Sequence, residues 1–479
     1  NDVANAFSTS IGSKALTMKG AIIIATIFEF AGALLMGSHV TETIRKDIAN
    51  YECFVDNPGV LMYGCMYVLM AVGIWLFLAS KYEMPVSTTH SCVGGMIGMA
   101  LVAGGSDCVI WYKPKSSFPY MGGVSGILLS WLFSPILSMI LSIIIFSITR
   151  AAVLRHVDSF KRSFYSFPIY VGLTLILNCF FIIYKGGKGI GWSKIEPWVA
   201  AVISVSIGVG VGLIMIPIMP LLKKGILKKI KKREKEQLED SITSQELKNL
   251  EELKKIEEET KTKTKVNKTL HYNDTVDINN NQLVQDIHKH AEKFDKKTEE
   301  SFKFLQIFTA ICDSFSHGAN DVANSVGPFA AIYSIWKSGA VLEDSKLGDE
   351  FYWILTIGGI GISVGLMVYG YKIIRAIGVK MCKITPSRGF SIELGSATVI
   401  ILGSRLGIPL STTHCQVGAT IGVGLLEKKY INNDNHKKCN FQCYGVNLKI
   451  LLKTLLGWIV TLVVVGGTSA LITAQGIYA

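Results

Sequence analysis

Charged residues are scarce in this chain. Only 18% of the 479 residues are Asp, Glu, Lys or Arg, whereas 49% are hydrophobic and the mean hydropathy is +0.39. A soluble globular protein carries about 25% charged residues, so that class is excluded. The apolar residues fall in long runs, and about 20 such residues cross a bilayer as a helix. The composition therefore predicts an all-α polytopic membrane protein.

Several segments are long and apolar enough to be membrane spans. They are 17–37, 58–80, 122–148, 166–184, 195–222, 304–336, 350–371, 388–407 and 449–475. Two further apolar stretches, 84–104 and 408–427, open with proline and polar residues. Such openings are typical of re-entrant or broken helices, so we expect helical hairpins there.

Familiar cofactor and metal motifs are also lacking. No Lys-Ser/Thr pair follows the short glycine runs, which excludes a phosphate loop. The ten cysteines are scattered and form no disulfide framework, and Cys439 and Cys443 have no zinc-type spacing. We predict no cofactor and no metal beyond a transported ion. A single disulfide between Cys53 and Cys108, which lie in loops predicted to be outside, is left as an open alternative.

The net charge of +12 does not indicate nucleic acid as a partner. Residues 223–303 hold 20 Lys+Arg and 17 Asp+Glu, and most of the remaining excess lies in short loops beside spans. Positive charge at span ends marks the cytoplasmic face. Segments placed inside are 149–165, 223–303, 372–388 and 428–449; segment 337–350 is placed outside, and 185–194 violates the rule.

Two motifs occur twice. Asn1-Asp2-Val3-Ala4-Asn5 recurs as Asn320-Asp321-Val322-Ala323-Asn324, and Pro85-Val86-Ser87-Thr88-Thr89-His90 recurs as Pro409-Leu410-Ser411-Thr412-Thr413-His414. The loop charges orient the two halves oppositely. Inverted repeats place a shared site near the bilayer midplane, as in many transporters.

The repeated aspartates indicate a cation site. Asp2 and Asp321 fall in segments bound for the membrane, where a carboxylate needs a partner. Asn1 and Asn5, like Asn320 and Asn324, share one helix face and add amide oxygens. The less favoured alternative is a purely structural cluster of polar side chains that hydrogen-bond to one another between packed helices. Glu29 and Glu393, also in apolar spans, are further candidates for cation coupling.

The repeated Ser-Thr-Thr-His segments indicate an anion site. Proline suits the first turn of a helix, and serine or threonine caps it. A helix N-terminus within the membrane presents free N–H groups and partial positive charge to an anion. Ordinary capping is the alternative, and the duplication favours binding. For His90 and His414 we favour a structural hydrogen-bonding role over metal binding or proton relay.

At these motifs the chain resembles the inorganic phosphate transporter (PiT) family of sodium- or proton-coupled phosphate symporters. Gly318–Asn324, its twin from Asn1 and the two Pro-x-Ser-Thr-Thr-His segments carry the resemblance, and Glu29 and Glu393 lie where that family keeps important acids. The resemblance implies phosphate uptake with sodium and a helical fold of inverted repeats.

Together these observations predict a symporter that takes up one monovalent phosphate with two sodium ions by alternating access in the plasma membrane. The predicted phosphate-binding residues are Ser87, Thr88, Thr89, Ser411, Thr412, Thr413, Asn1 and Asn320. The predicted sodium-binding residues are Asp2, Asn5, Asp321, Asn324, Glu29 and Glu393. Proton coupling, another oxyanion such as sulfate, and a homodimer stay open. A Ser-His-Asp hydrolase is disfavoured because a hydrolase needs one nucleophile, not two.

The same pattern divides the chain into four parts. Residues 1–148 form a first transmembrane repeat that we expect to be truncated at its N-terminus, and 149–222 form connecting transmembrane helices. Residues 223–303 form a charged, partly helical and partly disordered cytoplasmic loop. Residues 304–479 form the second transmembrane repeat.

Overall fold

The computed structural model describes most, but not all, of the chain. The described residues are 1–116, 119–184, 195–257, 285, 287–289, 291–341, 351–370, 373–374, 381–427 and 445–478, without the side chains of 4, 5, 237–257 and 478. The predictions for loop 185–194, for most of 337–350 and 428–449, for the Asn5 side chain and for residues 258–284 therefore lie outside the described part.

The described residues are mainly helical. The α-helices are α1 (Val3–Gly12), α2 (Met18–Lys46), α3 (Pro58–Lys81), α4 (Thr88–Gly104), α5 (Gly123–Thr149), α6 (Ser159–Ile183), α7 (Pro197–Glu257), α8 (Lys296–Asp321), α9 (Ala323–Ser338), α10 (Tyr352–Gly365), α11 (Pro386–Arg405), α12 (Thr412–Leu425) and α13 (Leu448–Tyr478). The short elements are 3₁₀ turns at Tyr51–Phe54 and Ser106–Cys108, π-helical turns at Arg150–Leu154 and Leu366–Gly370, and an antiparallel pair of strands, β1 (Lys113–Pro114) and β2 (Met121–Gly122).

Seven helices in the described part are long and apolar enough to cross a membrane. This confirms the prediction of a multi-pass α-helical membrane protein. The predicted span 195–222 begins α7, which continues as one helix through the charged residues up to Glu257.

One predicted span was wrong in its extent. Segment 304–336 is not a single helix, because α8 ends at Asp321 and α9 starts at Ala323. At the break, the Val322 amide lies 3.4 Å from the Gly318 carbonyl, a long helical hydrogen bond. One turn further on, Pro328 has no amide hydrogen, so it cannot donate the usual helical hydrogen bond to the Asn324 carbonyl. The break thus falls inside the Asn-Asp motif.

Glycines set the closest helix contacts, and they do so in both halves. Gly94 and Gly98 on α4 lie against Leu462 and Gly466 of α13. Gly418 and Gly422 on α12 lie against Pro135 and Met139 of α5. These glycines therefore allow close packing of the two helices in each pair. Each Ser-Thr-Thr helix packs on a long helix from the other half of the chain.

One end of the bundle is closed by a covalent link. Cys53 and Cys108 form a disulfide that joins the two 3₁₀ turns. The Asn50 amide bonds to the Cys108 carbonyl, and Ile110 bonds to Ile48, so the loops after α2 and α4 lie side by side. Helix α5 starts here, because the Val124 amide bonds to Ile110.

The far end of α5 meets an ion-pair network. Arg388, 1% exposed, binds Glu427 with both Nε and Nη2 and also donates to the Glu292 backbone carbonyl. Arg155 holds the Glu292 carboxylate with two hydrogen bonds of 2.8 and 2.9 Å. These bonds lower the pKa of Glu292 below its ordinary value. The network fixes the chain just before α8 onto the ends of α5, α11 and α12.

Candidate functional site

The two Ser-Thr-Thr segments start two helices at one buried point. Ser87 and Ser411 are the N-caps of α4 and α12, and each hydroxyl accepts the amide of the histidine three residues on, at 3.4 Å. The Ser411 hydroxyl donates to the Ser87 hydroxyl at 3.0 Å, and neither side chain is exposed. The sequence signal for helix starts was thus sufficient to locate both N-termini.

From this shared start the two helices run to opposite ends of the bundle. Helix α4 ends at Gly104, close to Cys108 at the disulfide end. Helix α12 ends at the other end of α5, where Arg150 binds the Leu426 carbonyl at 2.9 Å. The two helix N-termini therefore point toward each other.

Each helix start is the turn of a hairpin, and an asparagine holds each turn. Asn1 donates to the Ser80 hydroxyl (3.1 Å) and the Met84 carbonyl (3.0 Å) in the α3–α4 hairpin. In the α11–α12 hairpin, Asn320 donates to Ser404 (3.2 Å) and Ile408 (3.3 Å). The second set repeats the first at equivalent positions, so both asparagine amides position a hairpin turn.

Both repeated aspartates reach the helix starts. Asp2 Oδ2 accepts hydrogen bonds from the Thr88 amide (2.8 Å) and hydroxyl (2.7 Å), and Asp2 Oδ1 accepts the Thr413 hydroxyl. Asp321 Oδ2 lies 3.2 Å from the Thr88 hydroxyl and accepts the Thr412 hydroxyl at 3.1 Å. Each aspartate thus contacts both Ser-Thr-Thr segments. We call these residues, with Ser87, Thr89 and Ser411, the central cluster.

Several oxygen atoms around the central cluster have no donor. Asn324 donates its amide to Thr88 and Thr89, and Thr89 donates to the Leu410 carbonyl. The buried oxygens Asn320 Oδ1, Asp321 Oδ1 and Asn324 Oδ1 accept no hydrogen bond from the part of the chain that the structure describes. Hard cations are coordinated by carboxylate and amide oxygens. This donor set fits a cation such as Na⁺.

Glu29 reaches the central cluster through a histidine. His317 Nδ1 lies 2.8 Å from Glu29 Oε2, and His317 Nε2 lies 3.1 Å from Asp321 Oδ2. Ser314 adds a hydrogen bond to Glu29 at 3.3 Å. Sequence reasoning missed His317 as a site residue. Its position four residues before Asp321 on one helix was the available signal.

Glu393 lies in a separate polar pocket. Its Oε1 accepts hydrogen bonds from Thr9, Ser10 and Gln306, and its Oε2 accepts one from Thr309 at 2.7 Å. Within the described residues Glu393 makes no hydrogen bond or ion pair with the central cluster. The structure therefore places this predicted sodium ligand apart from the others.

The two motif histidines take part in a column of rings. His90 stacks on Trp131 with ring centroids 3.7 Å apart, and His414 stacks on Trp458 at 3.6 Å. The two imidazoles face each other at 4.7 Å, and His414 Nδ1 lies 2.9 Å from the Trp131 carbonyl. These contacts fit the structural role that the sequence favoured.

Comparison with known proteins gives one consistent result. The sequence pattern of the phosphate transporter family matches residues 1–469. A phosphate-repressible phosphate permease (pho-4) of Neurospora crassa is 31% identical over 97% of this chain and 92% of its own length. A sodium-dependent phosphate transporter of Plasmodium falciparum is 30% identical over 100% of this chain and 94% of its own.

A solved structure shares the architecture as well. A sodium-dependent phosphate transporter superposes with a TM-score of 0.73 at 28% identity, covering 100% of this chain and 95% of that one. The duplicated motifs, the membrane helices and these matches agree over nearly the full length. The chain therefore belongs to the phosphate transporter family.

Proposed function

We propose that this protein is a secondary active symporter that takes up inorganic phosphate with sodium across the plasma membrane. One observation carries the proposal: the helix starts at Ser87 and Ser411 meet at a buried point, with Asp2 and Asp321 beside them. The relative from Plasmodium falciparum and the solved structure, both named sodium-dependent phosphate transporters, support the choice of ions.

Phosphate would bind between the two helix starts. Ser87, Thr88, Thr89 and the matching Ser411, Thr412 and Thr413 supply hydroxyl donors, and the helix N-termini supply amides and partial positive charge. Asn1 and Asn320 would act beside them by fixing the hairpin turns. In the described state Asp2 occupies the Thr88 amide and hydroxyl. Phosphate must therefore displace the Asp2 carboxylate from these two Thr88 donors or share the donors with it.

This overlap gives a physical reason for coupling. Two carboxylates beside an anion site repel phosphate strongly in a medium of low dielectric constant. Sodium bound to Asp2 and Asp321, with the Asn5 and Asn324 amides, would neutralise them and release the threonine donors. Phosphate affinity should therefore rise with sodium. Glu29, through His317, and Glu393, in its own pocket, would serve as further cation-binding residues.

The two aspartate motifs favour a ratio of two sodium ions to one monovalent phosphate, which moves one net positive charge per cycle. Because α4 and α12 leave the central cluster toward opposite ends, movement of one hairpin would open one side only. That arrangement suits alternating access by inverted repeats. We infer no catalytic reaction and no resident cofactor. A homodimer is compatible with the proposal but not required by it.

The decisive experiment is uptake of labelled phosphate into proteoliposomes. A sodium gradient should drive accumulation of unchanged phosphate with an inward current, whereas lithium or a proton gradient should drive much less. Uptake driven equally by protons would favour the proton-coupled alternative. Sulfate competing as well as unlabelled phosphate would favour a broader oxyanion transporter. Sodium-driven uptake without any current would exclude the two-to-one ratio.

A further inference from the structure

A row of polar side chains on α8 links the Glu393 pocket to the central cluster. Thr309, Asp313, His317 and Asp321 follow at intervals of four residues, so they share one helix face. Thr309 binds Glu393 at one end of the row, and His317 lies against Asp321 at the other. Asp313 stands between them, and the function described so far does not use it.

Asp313, like Asp321 at the end of the row, has a buried carboxylate oxygen that no hydrogen-bond donor among the described residues reaches. Asp313 is 2% exposed, and its Oδ1 accepts no hydrogen bond from any described residue. Among the described residues it has no salt bridge to lysine, arginine or histidine. The Glu393 carboxylate has four donors, and the His317 nitrogens face Glu29 and Asp321. Neither neighbour can therefore satisfy Asp313.

A second buried oxygen faces Asp313 from α11. The Ser396 side chain is 0% exposed, and its hydroxyl acts on the Asp313 carboxylate as a hydrogen-bonding group. A buried carboxylate and a neutral hydroxyl thus meet between α8 and α11, and the hydroxyl brings no positive charge to the carboxylate. Burial of an ionised carboxylate in this way is unfavourable unless a positive charge compensates it.

We propose that Asp313 and Ser396 form an additional cation site, which takes Na⁺ between the Glu393 pocket and the central cluster. The charged groups around it are Glu393 and Glu29, both acidic, and His317. Oxygen ligands and a surplus of negative charge select a small hard cation over an anion. This proposal rests on the proposed function, because the Asp313–Ser396 site would bind sodium at an intermediate position between the Glu393 pocket and the central cluster.

The test uses the full-length protein in proteoliposomes with Asp313→Asn, which keeps the shape but removes the charge. We expect the sodium concentration for half-maximal uptake to rise at least fivefold, while the phosphate KM at saturating sodium stays within twofold. Ser396→Ala should shift sodium activation in the same direction by a smaller factor. Ser391→Ala is the matched control, since that buried hydroxyl bonds to Ser387 of its own helix.

Sodium activation of Asp313→Asn equal to that of the wild type would overturn the site. So would an altered pH dependence with unaltered sodium activation, because Asp313 would then carry a proton instead of sodium. If Asp313→Asn does not fold, Ser396→Ala alone decides by the same comparison, since it removes a single hydroxyl.

A second measurement separates this site from the transport proposal. Purified protein is heated with sodium or choline chloride, without phosphate, and the sodium-dependent rise in Tm is compared. The rise should be smaller in Asp313→Asn than in the wild type, and an equal rise would overturn the site. If the wild type transports phosphate without sodium, the symport proposal fails, and the Tm comparison still decides the fate of the site.

Discussion

The Ser411 hydroxyl lies 3.0 Å from the Ser87 hydroxyl, although 324 positions separate the two residues in the chain. Each is the first capping residue of its helix, so this contact joins two helix N-termini directly. No lysine or arginine is needed to make such a point attractive to an anion, because the amides and helix dipoles suffice. The contact also makes the two motifs physically interdependent.

Replacement of either serine by alanine should weaken phosphate binding. Loss of a hydrogen bond to a charged group costs about 1.5–3 kcal/mol, which is a rise in phosphate KM of about tenfold or more. Because the two hydroxyls bond to each other, Ser87→Ala and Ser411→Ala together should cost less than the sum of the single changes. Initial rates of labelled phosphate uptake measure this, with the exposed Ser338→Ala as control. Strictly additive effects would argue against a shared site.

Asp321→Asn should largely abolish sodium-driven uptake while the protein still reaches the membrane. The carboxylate contacts Thr88, Thr412 and His317, and an amide cannot neutralise a cation in its place. We expect uptake to fall by at least tenfold, measured beside surface abundance. The exposed Asp56→Asn serves as control. Normal uptake by Asp321→Asn would refute the assignment of this residue to the sodium site.

His317→Gln should impair transport nearly as strongly. The imidazole lies between the Glu29 and Asp321 carboxylates, and its loss leaves two buried acids without their shared partner. Breaking a buried ionic pair costs about 3–5 kcal/mol. Uptake at limiting sodium should fall by tenfold or more, whereas the exposed His156→Gln should be neutral. Adding Glu29→Gln should cause little further loss, and a fully additive loss would show that the two residues act separately.

Glu292→Gln tests the ion-pair network at the end of α5. Arg155 lowers the pKa of Glu292, so the ionised carboxylate stabilises the folded protein. This contribution is complete above the ordinary carboxyl pKa and is lost as pH falls through the lowered value. The pair is partly exposed, so we expect a loss of about 0.5–1 kcal/mol at neutral pH. Thermal unfolding in detergent should show a lower Tm at pH 7 and a vanishing difference in acid. A difference that grows in acid would contradict this, and the exposed Glu234→Gln is the control.

The disulfide predicts the orientation of the bundle. Disulfides persist in oxidising compartments, so the Cys53–Cys108 end should face outward. A membrane-impermeant maleimide applied to intact cells should label Cys53, which is exposed, only after reduction. Reduction frees both thiols of the bridge, so the double variant Cys53→Ser/Cys108→Ser should abolish that labelling. Labelling that requires permeabilised cells would reverse the orientation.

Much of the architecture could be predicted from local sequence signals. Apolar runs gave the spans, and Pro with Ser-Thr-Thr marked the starts of α4 and α12. The break at Val322 was not predicted, because hydropathy measures only how apolar the residues are and carries no information about backbone hydrogen bonds. The extent of α7 escaped too, because a helix can continue from lipid into water without any change of backbone.

The site was less accessible from sequence than the fold. Duplication indicated that Ser87 and Ser411 should meet, but nothing local shows that Asp2 bonds to Thr413 in the other half of the chain. The Glu29–His317 contact depends on the close approach of α2 and α8. That approach requires glycine, because a Cβ at Gly318 would collide with the Glu29 backbone. Asp313 and His317 lay within reach of a simple helical-spacing argument.

The exchange of helix partners between the halves bears on how such a chain could be assembled. Helix α5 supports α12, and α13 supports α4, so each half lends the other the surface on which its hairpin rests. A half-length polypeptide would lack that surface. It could form the same central cluster only as a dimer of two copies inserted in opposite membrane orientations. The long helix of each copy would then support the hairpin of the other. During biosynthesis, the α3–α4 hairpin of the first half should accordingly become resistant to proteases only after α13 of the second half has been made.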